Sequence, residues 1–433
     1  MPLFDPNALN PGVARREVFA WACYDFANSG YTTVVLTAVF SAYFVATVAA
    51  DAAHPTTVWT WTLAISNALV MLAMPVMGAY ADLRARKKRL LAWSTAGCVI
   101  ATAALALAQR GDIALAAAAV IASNFFFMAG TALIGAFLPE LARPEGMGRV
   151  SGWGWSFGYL GGMATLGVCI AYVFSAQARG LGATHFVPVT MIIVAVVFAL
   201  AAWPTLAILR ERAVPQPHSV SGEVRQAWSR LGATLRQARH YRDFAALLAC
   251  GTLYQAGVAV VIALAAIYAQ DVMKFDALRT MILIFAVNIT AALGAFLFGY
   301  VQDAIGHRRT LALTLLGWLA MTWIAAVTTS VAMFWVAANL AGLCMGSSQS
   351  AGRAMVGALA PPTRLAEFFG LWTLATQLAA IIGPVTYGAV MIATGNDHRL
   401  SIAATGLFFA AGLLLVGAID IKRGRVAALA PAA

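Results

Sequence analysis

The sequence predicts an all-α membrane protein: twelve spanning helices arranged as two related bundles of six. Three observations carry this. Of 433 residues, 61% are apolar and only 10% are charged, with a mean hydropathy of +0.81; soluble domains carry about 25% charged residues. Twelve apolar runs approach or exceed the ~20 residues that a helix needs to cross a bilayer. Two short motifs from the first half recur in the second at nearly one offset. A net charge of +11 would suggest a nucleic-acid partner in a soluble chain. Here its distribution has a simpler reason, and no nucleic-acid partner is expected.

Runs between charge and turn clusters place the spans at residues 18–49, 57–81, 90–109, 113–138, 151–175, 186–209, 243–270, 278–301, 310–328, 331–359, 366–392 and 400–419. Little more than Thr328, Thr329 and Ser330 separates the ninth from the tenth. The first sixteen residues are polar, with turn signals at Pro2, Pro6 and Pro11. The run after them is too long for a signal-peptide core and leads into further spans, so it is expected to be retained. The longest loop, 210–242, divides the chain into bundles 1–209 and 243–433. It carries Val224, Trp228, Leu231 and Leu235 at helical spacing, with Arg225, Arg230, Arg236 and Arg239 around them. That pattern predicts an amphipathic helix lying at the membrane surface.

Orientation follows from the excess of Lys and Arg in cytoplasmic loops. With the N-terminus inside, 22 of the 28 Lys and Arg residues fall in inside segments. Only Arg110, Arg179, Lys274, Arg279 and Arg399 fall outside, and Arg353 lies within a span. Both termini are expected in the cytoplasm, with a bacterial inner membrane as the location. The basic residues then hold the topology and meet anionic lipid. The five cysteines (Cys23, Cys98, Cys169, Cys250 and Cys344) all sit in apolar runs and form no Cys-x-x-Cys pair. No disulfide framework, metal site or cofactor is expected.

The halves repeat. Gly78-x3-Asp82-x3-Arg86-Lys87-Lys88 returns as Gly299-x3-Asp303-x3-His307-Arg308-Arg309, 221 residues on. Gly135-Ala-Phe-Leu-Pro139 returns as Gly357-Ala-Leu-Ala-Pro361 at an offset of 222. Internal repeats mark secondary transporters. The loop motif, its echo and the six-plus-six split resemble the major facilitator superfamily, with Ala85 standing where that family usually has Gly. Three further patches narrow the resemblance to the vacuole-effluxer-like branch, named after the autophagy-related amino-acid exporter of fungal vacuoles. They are Tyr24-Asp-Phe-Ala-Asn-Ser-Gly-Tyr31, the Trp- and Gly-rich stretch from Arg149 to Gly162, and Gln349-Ser-Ala-Gly-Arg353. The resemblance implies the major facilitator fold and a solute carrier driven by ion gradients, without an ATP site. It also implies that spans 1, 4, 7 and 10 line a central cavity.

Asp25 in span 1 and Arg353 in span 10 are the ionisable residues farthest from any loop. A charge in a membrane helix is costly unless it faces a partner or a wet cavity. Asp25 lies eight residues beyond Glu17, and Arg353 eight before Pro361. At ~1.5 Å per residue each sits roughly 12 Å inside the same face, just short of the midplane, where transporter sites lie. Asn28 shares Asp25's helix face. Asn339, Gly342, Gly346, Gln349 and Arg353 form a polar-or-small stripe. Span 4 offers Asn124 beside Phe125, Phe126 and Phe127; span 7 offers Tyr254 and Gln255. These residues are expected to form a polar patch between the halves, with plain packing favoured for the three phenylalanines.

Arg353 suits bidentate contact with a carboxylate or phosphate; Asp25 suits an amine or a coupling proton. A structural ion pair is the competing reading, and whether the two touch is open. An acid and a base at one depth point to an amino acid or similar zwitterion, moved by proton-coupled alternating access. The coupling ion is a proton or another ion, and the carrier is expected to be a monomer. A lysolipid-like amphiphile and a non-transporting sensor or scaffold are the alternatives. Asp82 and Arg86, with Asp303 and Arg308, are expected to latch helix ends on the cytoplasmic side, extended by Glu140 and Arg149. The glycines of span 5 suggest a tight packing face that slides. Gly154-Trp-Ser156-Phe-Gly158 matches a hydrolase elbow only formally: it lies mid-helix, and every histidine falls in or beside a loop. No enzyme activity is expected.

Overall fold

Residues 5–215 and 240–430 are described by the structure, a computed structural model. Twelve helices long and apolar enough to span a membrane appear among them. They are α1 (Arg15–Val48), α2 (Pro55–Arg84), α3 (Lys87–Leu107), α4 (Ile113–Leu141), α5 (Pro144–Ala178), α6 (Ala183–Ile208), α7 (Arg242–Ala265), α8 (Arg279–Ile305), α9 (His307–Val327), α10 (Val331–Leu359), α11 (Leu365–Ala393) and α12 (His398–Val416). A short α13 follows (Ile421–Leu429). Each expected span is present, with ends that differ by a few residues from the sequence reading. The expected amphipathic stripe in the long loop lies outside the described residues.

Local chemistry sets the ends. Pro55 opens α2, where its missing N–H costs nothing. Asp276 accepts from the Arg279 amide at 2.7 Å, and Asp397 from the amides of Arg399 and Leu400. Between α3 and α4, exposed Arg110 holds Asp51 at 2.6 and 3.0 Å. These hydrogen bonds keep the Asp51 carboxyl below its ordinary range. The C-terminal part of α1 departs from α-helix, with wider π-type turns at Thr32–Ala38 and Phe44–Val48.

The repeat in the sequence is a repeat in packing. Within the first six helices, α1 packs on α5 and α6, α2 on α4, and α3 on α4 and α6. Within the second six the same pairs recur: α7 on α11 and α12, α8 on α10, and α9 on α10 and α12. The halves meet chiefly through α2 against α11 and α5 against α8. Each of these interfaces is the other's image under the repeat. We call the end of the bundle that carries the α2–α3 loop, the start of α1 and α13 the basic face.

The halves are pressed together at that face. Ser350 to Pro361 of α10 and its exit are buried without a break, whereas Val331, Ala332 and Met333 at its other end are exposed. On α4, Ala132 to Leu138 are buried, while Ala114 and Leu115 are exposed.

Ala85 ends α2 in the left-handed region at φ 49°, ψ 51°. An L-residue there costs about 1–2 kcal/mol. Ala85→Gly should therefore raise stability by roughly 1 kcal/mol, read as a higher melting temperature in detergent. Gly306, its counterpart, holds φ 91°, ψ 152°, a conformation almost confined to glycine. Gly306→Ala should lower the melting temperature.

Candidate functional site

Asp25 and Arg353 touch. Arg353 Nη1 donates to Asp25 Oδ2 at 2.7 Å, and each residue is 8% exposed. The guanidinium is further held by α5: Nε donates to Ser151 Oγ at 3.1 Å, and Nη2 to the Ser151 carbonyl at 2.7 Å. Ser151 Oγ in turn donates to the Ser350 carbonyl at 2.8 Å. The guanidinium carbon lies 4.7 Å from the Trp21 ring centroid and 5.4 Å from that of Trp155, within cation–π range. Trp21 is fixed by its own bond to the Ile134 carbonyl at 2.9 Å. The pair thus joins α1 and α5 of one half to α10 of the other.

Glycines make room for it. A Cβ on Gly154 would stand 2.4 Å from Asp25 Oδ2 and 2.6 Å from Arg353 Nη2. One turn on, a Cβ on Gly158 would sit 3.0 Å from Ser29 Oγ. The apparent hydrolase elbow is therefore a helix face that admits an ion pair. The span-5 glycines serve two faces: Gly154, Gly158 and Gly161 meet α1, while Gly148 and Gly152 meet α8.

The single polar patch expected from the sequence is instead three clusters. Gln255 and Gln349 exchange amide hydrogen bonds at 2.8 and 3.2 Å, one turn from Arg353. Asn124 donates to Ser66 Oγ at 2.9 Å and Asn67 Oδ1 at 3.3 Å, and Gln377 of α11 donates to Asn67 Oδ1 at 2.8 Å. Asn28, one turn from Asp25, is buried, and neither polar atom of its side chain has a partner among the described residues. Tyr254 packs against α10, its hydroxyl 2.5 Å from where a Gly352 Cβ would be. The α10 stripe divides: Gly342 and Gly346 lie against α8 backbone, and Asn339 bonds its own helix at the Trp335 carbonyl. The phenylalanines pack: Phe126 against Gly97, and Phe127 4.9 Å from the Tyr31 ring.

At the basic face the repeated aspartates do matching work. Asp82 accepts from the amides of Ala366 and Glu367 at the start of α11, at 3.1 and 2.9 Å. Asp303 accepts from the amides of Gly148 and Arg149 near the start of α5, at 2.8 and 3.2 Å. Each carboxylate caps a helix of the opposite half, where unpaired N–H groups favour negative charge. The motif glycines permit the approach. A Cβ on Gly78 would lie 2.1 Å from the Ala366 carbonyl oxygen, and one on Gly299 2.8 Å from that of Gly148. A turn away, Gly370 faces the Met74 carbonyl and Gly152 the Ala295 carbonyl in the same relation.

The basic partners differ from those expected. Arg86 and Arg308 are exposed and make no side-chain bond among the described residues. Their length lets them reach water, and the helix amides already satisfy the aspartates. Lys87 instead is buried and pairs with Glu140, whose other oxygen accepts from the Arg212 amide at 2.8 Å. Glu140 therefore ties elements within one half rather than linking the two. Arg149 does link them, bonding Asp303 at 2.7 Å and Asp5 at 3.2 Å. Each half also closes on itself. Arg212 beyond α6 grips Glu17 of α1 at 2.9 and 3.0 Å, and Arg423 of α13 grips Asp243 of α7 at 2.6 and 2.9 Å.

Ser151, Trp21 and Trp155 were missed as site residues. Trp21 stands four residues before Asp25, and the other two lie in the Arg149–Gly162 patch, so helical spacing was an available signal.

Twelve spanning helices in two pseudo-symmetric halves, latched at one face around a buried charge pair, define a transporter of the major facilitator superfamily. The family model described as "Vacuole effluxer Atg22 like" matches residues 52–429, and the chain belongs to that family. It is 26% identical over 408 residues to an uncharacterized MFS-type transporter, YxiO, of Bacillus subtilis, covering 92% of this chain and 93% of that one. It is 25% identical over 310 residues to autophagy-related protein 22-1 of Penicillium rubens, covering 65% of this chain and 50% of that protein. The chain thus spans about half the length of this fungal relative. Among solved structures, the human organic anion transporter MFSD10 superposes with a TM-score of 0.72 at 13% identity, over 93% of this chain and 99% of that one. The proton:xylose symporter XylE superposes with a TM-score of 0.72 at 14% identity, over 92% and 94%. At these identities the likeness is one of fold.

Removing one partner of a buried pair costs about 3–5 kcal/mol, because the other charge is left uncompensated. Arg353→Met should thus lower the melting temperature sharply, and adding Asp25→Asn should restore much of the loss. A single Arg353→Met variant that melts like the parent would rule out the pair. Gly78→Val should force α2 from α11 and increase thiol labelling of a cysteine introduced at Ser350, with the five native cysteines, all buried, as the quiet background.

Proposed function

We propose that the chain carries a small zwitterion, best matched by an amino acid, across the membrane by proton-coupled alternating access. Both termini lie in the cytoplasm, as the loop charge bias predicts. The observation that carries this reading is the buried Asp25–Arg353 pair, which joins the two halves at 2.7 Å.

The argument is one of charge exchange. Opening the basic face pulls α1 and α5 away from α10 and separates the pair. A zwitterion resolves both needs at once: its carboxylate takes Asp25's place on Arg353, and its ammonium takes Arg353's place on Asp25. No buried charge is left alone. A neutral solute offers neither exchange. An anion serves Arg353 only, and Asp25 then needs a proton; the empty carrier, which has no ammonium for Asp25, needs one as well, and that step is the route by which a pH gradient couples to amino-acid movement. The Asn28 amide, one turn from Asp25 and without a partner among the described residues, supplies both a donor and an acceptor for the bound solute. Trp21 and Trp155 keep the guanidinium aimed while its partner changes.

Flux into proteoliposomes, measured for a panel of amino acids, sugars and organic anions with and without a pH gradient, tests this. Amino acids should move and the gradient should accelerate them. Arg353→Ala should lower substrate affinity by about 30-fold or more, the effect of losing a buried charge partner worth at least ~2 kcal/mol. Asp25→Asn should retain binding of anions and lose the response to the gradient. Amino-acid flux unchanged in both variants would overturn the proposal.

A further inference from the structure

We propose a site for an anionic phospholipid headgroup in the cleft at the basic face where α6 ends between α1 and α3. It rests on the fold and its surface, not on the transport reading above. The cleft has a volume of about 590 Å³ and is lined by Arg16, Glu17, Lys88, Ile208, Arg210 and Glu211, among others. Its shape follows from the chain's exit from α6. Leu209 is buried as an anchor, and Glu211 turns back to cap α3, accepting from the amides of Lys87 at 2.7 Å and Lys88 at 3.1 Å. The groove left beside that turn runs from the start of α1 to the start of α3.

Its charge is one-sided. Both acids of the lining are engaged: Glu17 by Arg212 at 2.9 Å, and Glu211 by the α3 amides. The side chains of Arg16, Lys88 and Arg210 form no ion pair among the described residues. Three cations with no ion pair among the described residues, set around one cleft, match a phosphate, and each arginine fork can donate to two of its oxygens.

The level of the cleft indicates the source of the phosphate. Trp93 on α3 lies five residues beyond Lys88 and is 65% exposed; Trp203 on α6 lies five residues before Ile208 and is 70% exposed. Outward-facing indoles settle at the membrane interface, so the cations stand roughly 7 Å further out, at headgroup level. Ala207 and Ile208 are exposed beside the cleft and offer apolar surface to the acyl chains. A phosphate presented by a lipid fits this combination of interfacial tryptophan, apolar flank and basic cleft; basic pockets between helices are a known headgroup geometry.

The full chain in nanodiscs of phosphatidylcholine, with or without phosphatidylglycerol, tests the site by melting temperature and by native mass spectrometry of retained lipid. Phosphatidylglycerol should raise the melting temperature and remain bound. The variant Arg16→Gln/Lys88→Gln/Arg210→Gln should lose both effects. The milder Arg16→Gln/Arg210→Gln, which alters only exposed side chains, should lose most of the retention while melting like the parent in pure phosphatidylcholine. Arg308→Gln/Arg309→Gln/Lys422→Gln, an equal charge change elsewhere on the same face, should keep both. If the control loses the effect equally, the attraction is diffuse and the site is overturned. If glycerol 3-phosphate in solution reproduces the full shift in phosphatidylcholine discs, the cleft takes a soluble anion, and the lipid assignment is overturned.

Discussion

Everything at the centre of this protein is arranged around one unfavourable fact: an arginine and an aspartate have been taken out of water in the middle of an apolar bundle. Each such charge carries a desolvation penalty of several kcal/mol, which mutual attraction offsets only with good geometry and further hydrogen bonds. Arg353 has them. Its Nη1 meets Asp25, while its Nε and Nη2 meet the hydroxyl and carbonyl of Ser151. Two indoles lie against the guanidinium, and Gly154 removes the one side chain that would collide with it. The supporting groups come from α1, α5 and α10, so the pair is satisfied only when the two halves are together at this depth.

The basic face adds a second layer of contacts, built twice. Duplication explains why the Gly-x3-Asp pattern is found after both α2 and α8. At each copy the glycine lets the opposite helix end approach within backbone contact, and the aspartate one turn later receives its amides. The two residues form a single device, since the cap is reachable only where no Cβ holds the helices apart. The copies have diverged in their second partner. The position that is Arg149 on α5, where it pairs with Asp303 and Asp5, is Glu367 on α11.

Much of this was legible in the sequence, and the rest has physical reasons for being hidden. Spans were readable because bilayer thickness sets helix length, and their loops because charge cannot be buried cheaply. Asp25 and Arg353 stood out for the same reason. Asp82 and Asp303 were readable as latches because topology alone does not require a repeated acid. Their partners were not readable: backbone amides of a helix start leave no side-chain signature. Arg86 and Arg308 were misleading because they sit in the motif yet project into solvent. The division of the polar residues into three clusters was hidden as well. A helix face read from one sequence does not say which neighbour covers it, and so Gly342 and Gly346 met α8 while Gln349 met Gln255.

The two layers differ in what releases them. Asp82 and Asp303 cap helix ends near the surface, where separation returns a carboxylate to water; such caps are worth about 0.5–2 kcal/mol each. They bias the equilibrium towards closure at the basic face without selecting a ligand. The Asp25–Arg353 pair lies deeper, and separating it in a dry interior leaves two charges for which water is not at hand. On the proposed reading, its opening depends on something that supplies opposite charges, or a proton, at that depth. In that reading the surface latches set how often the halves part, and the buried pair sets what must be present when they do. A carrier needs both properties: a closure weak enough to open on binding, and a core that makes opening without cargo or proton costly.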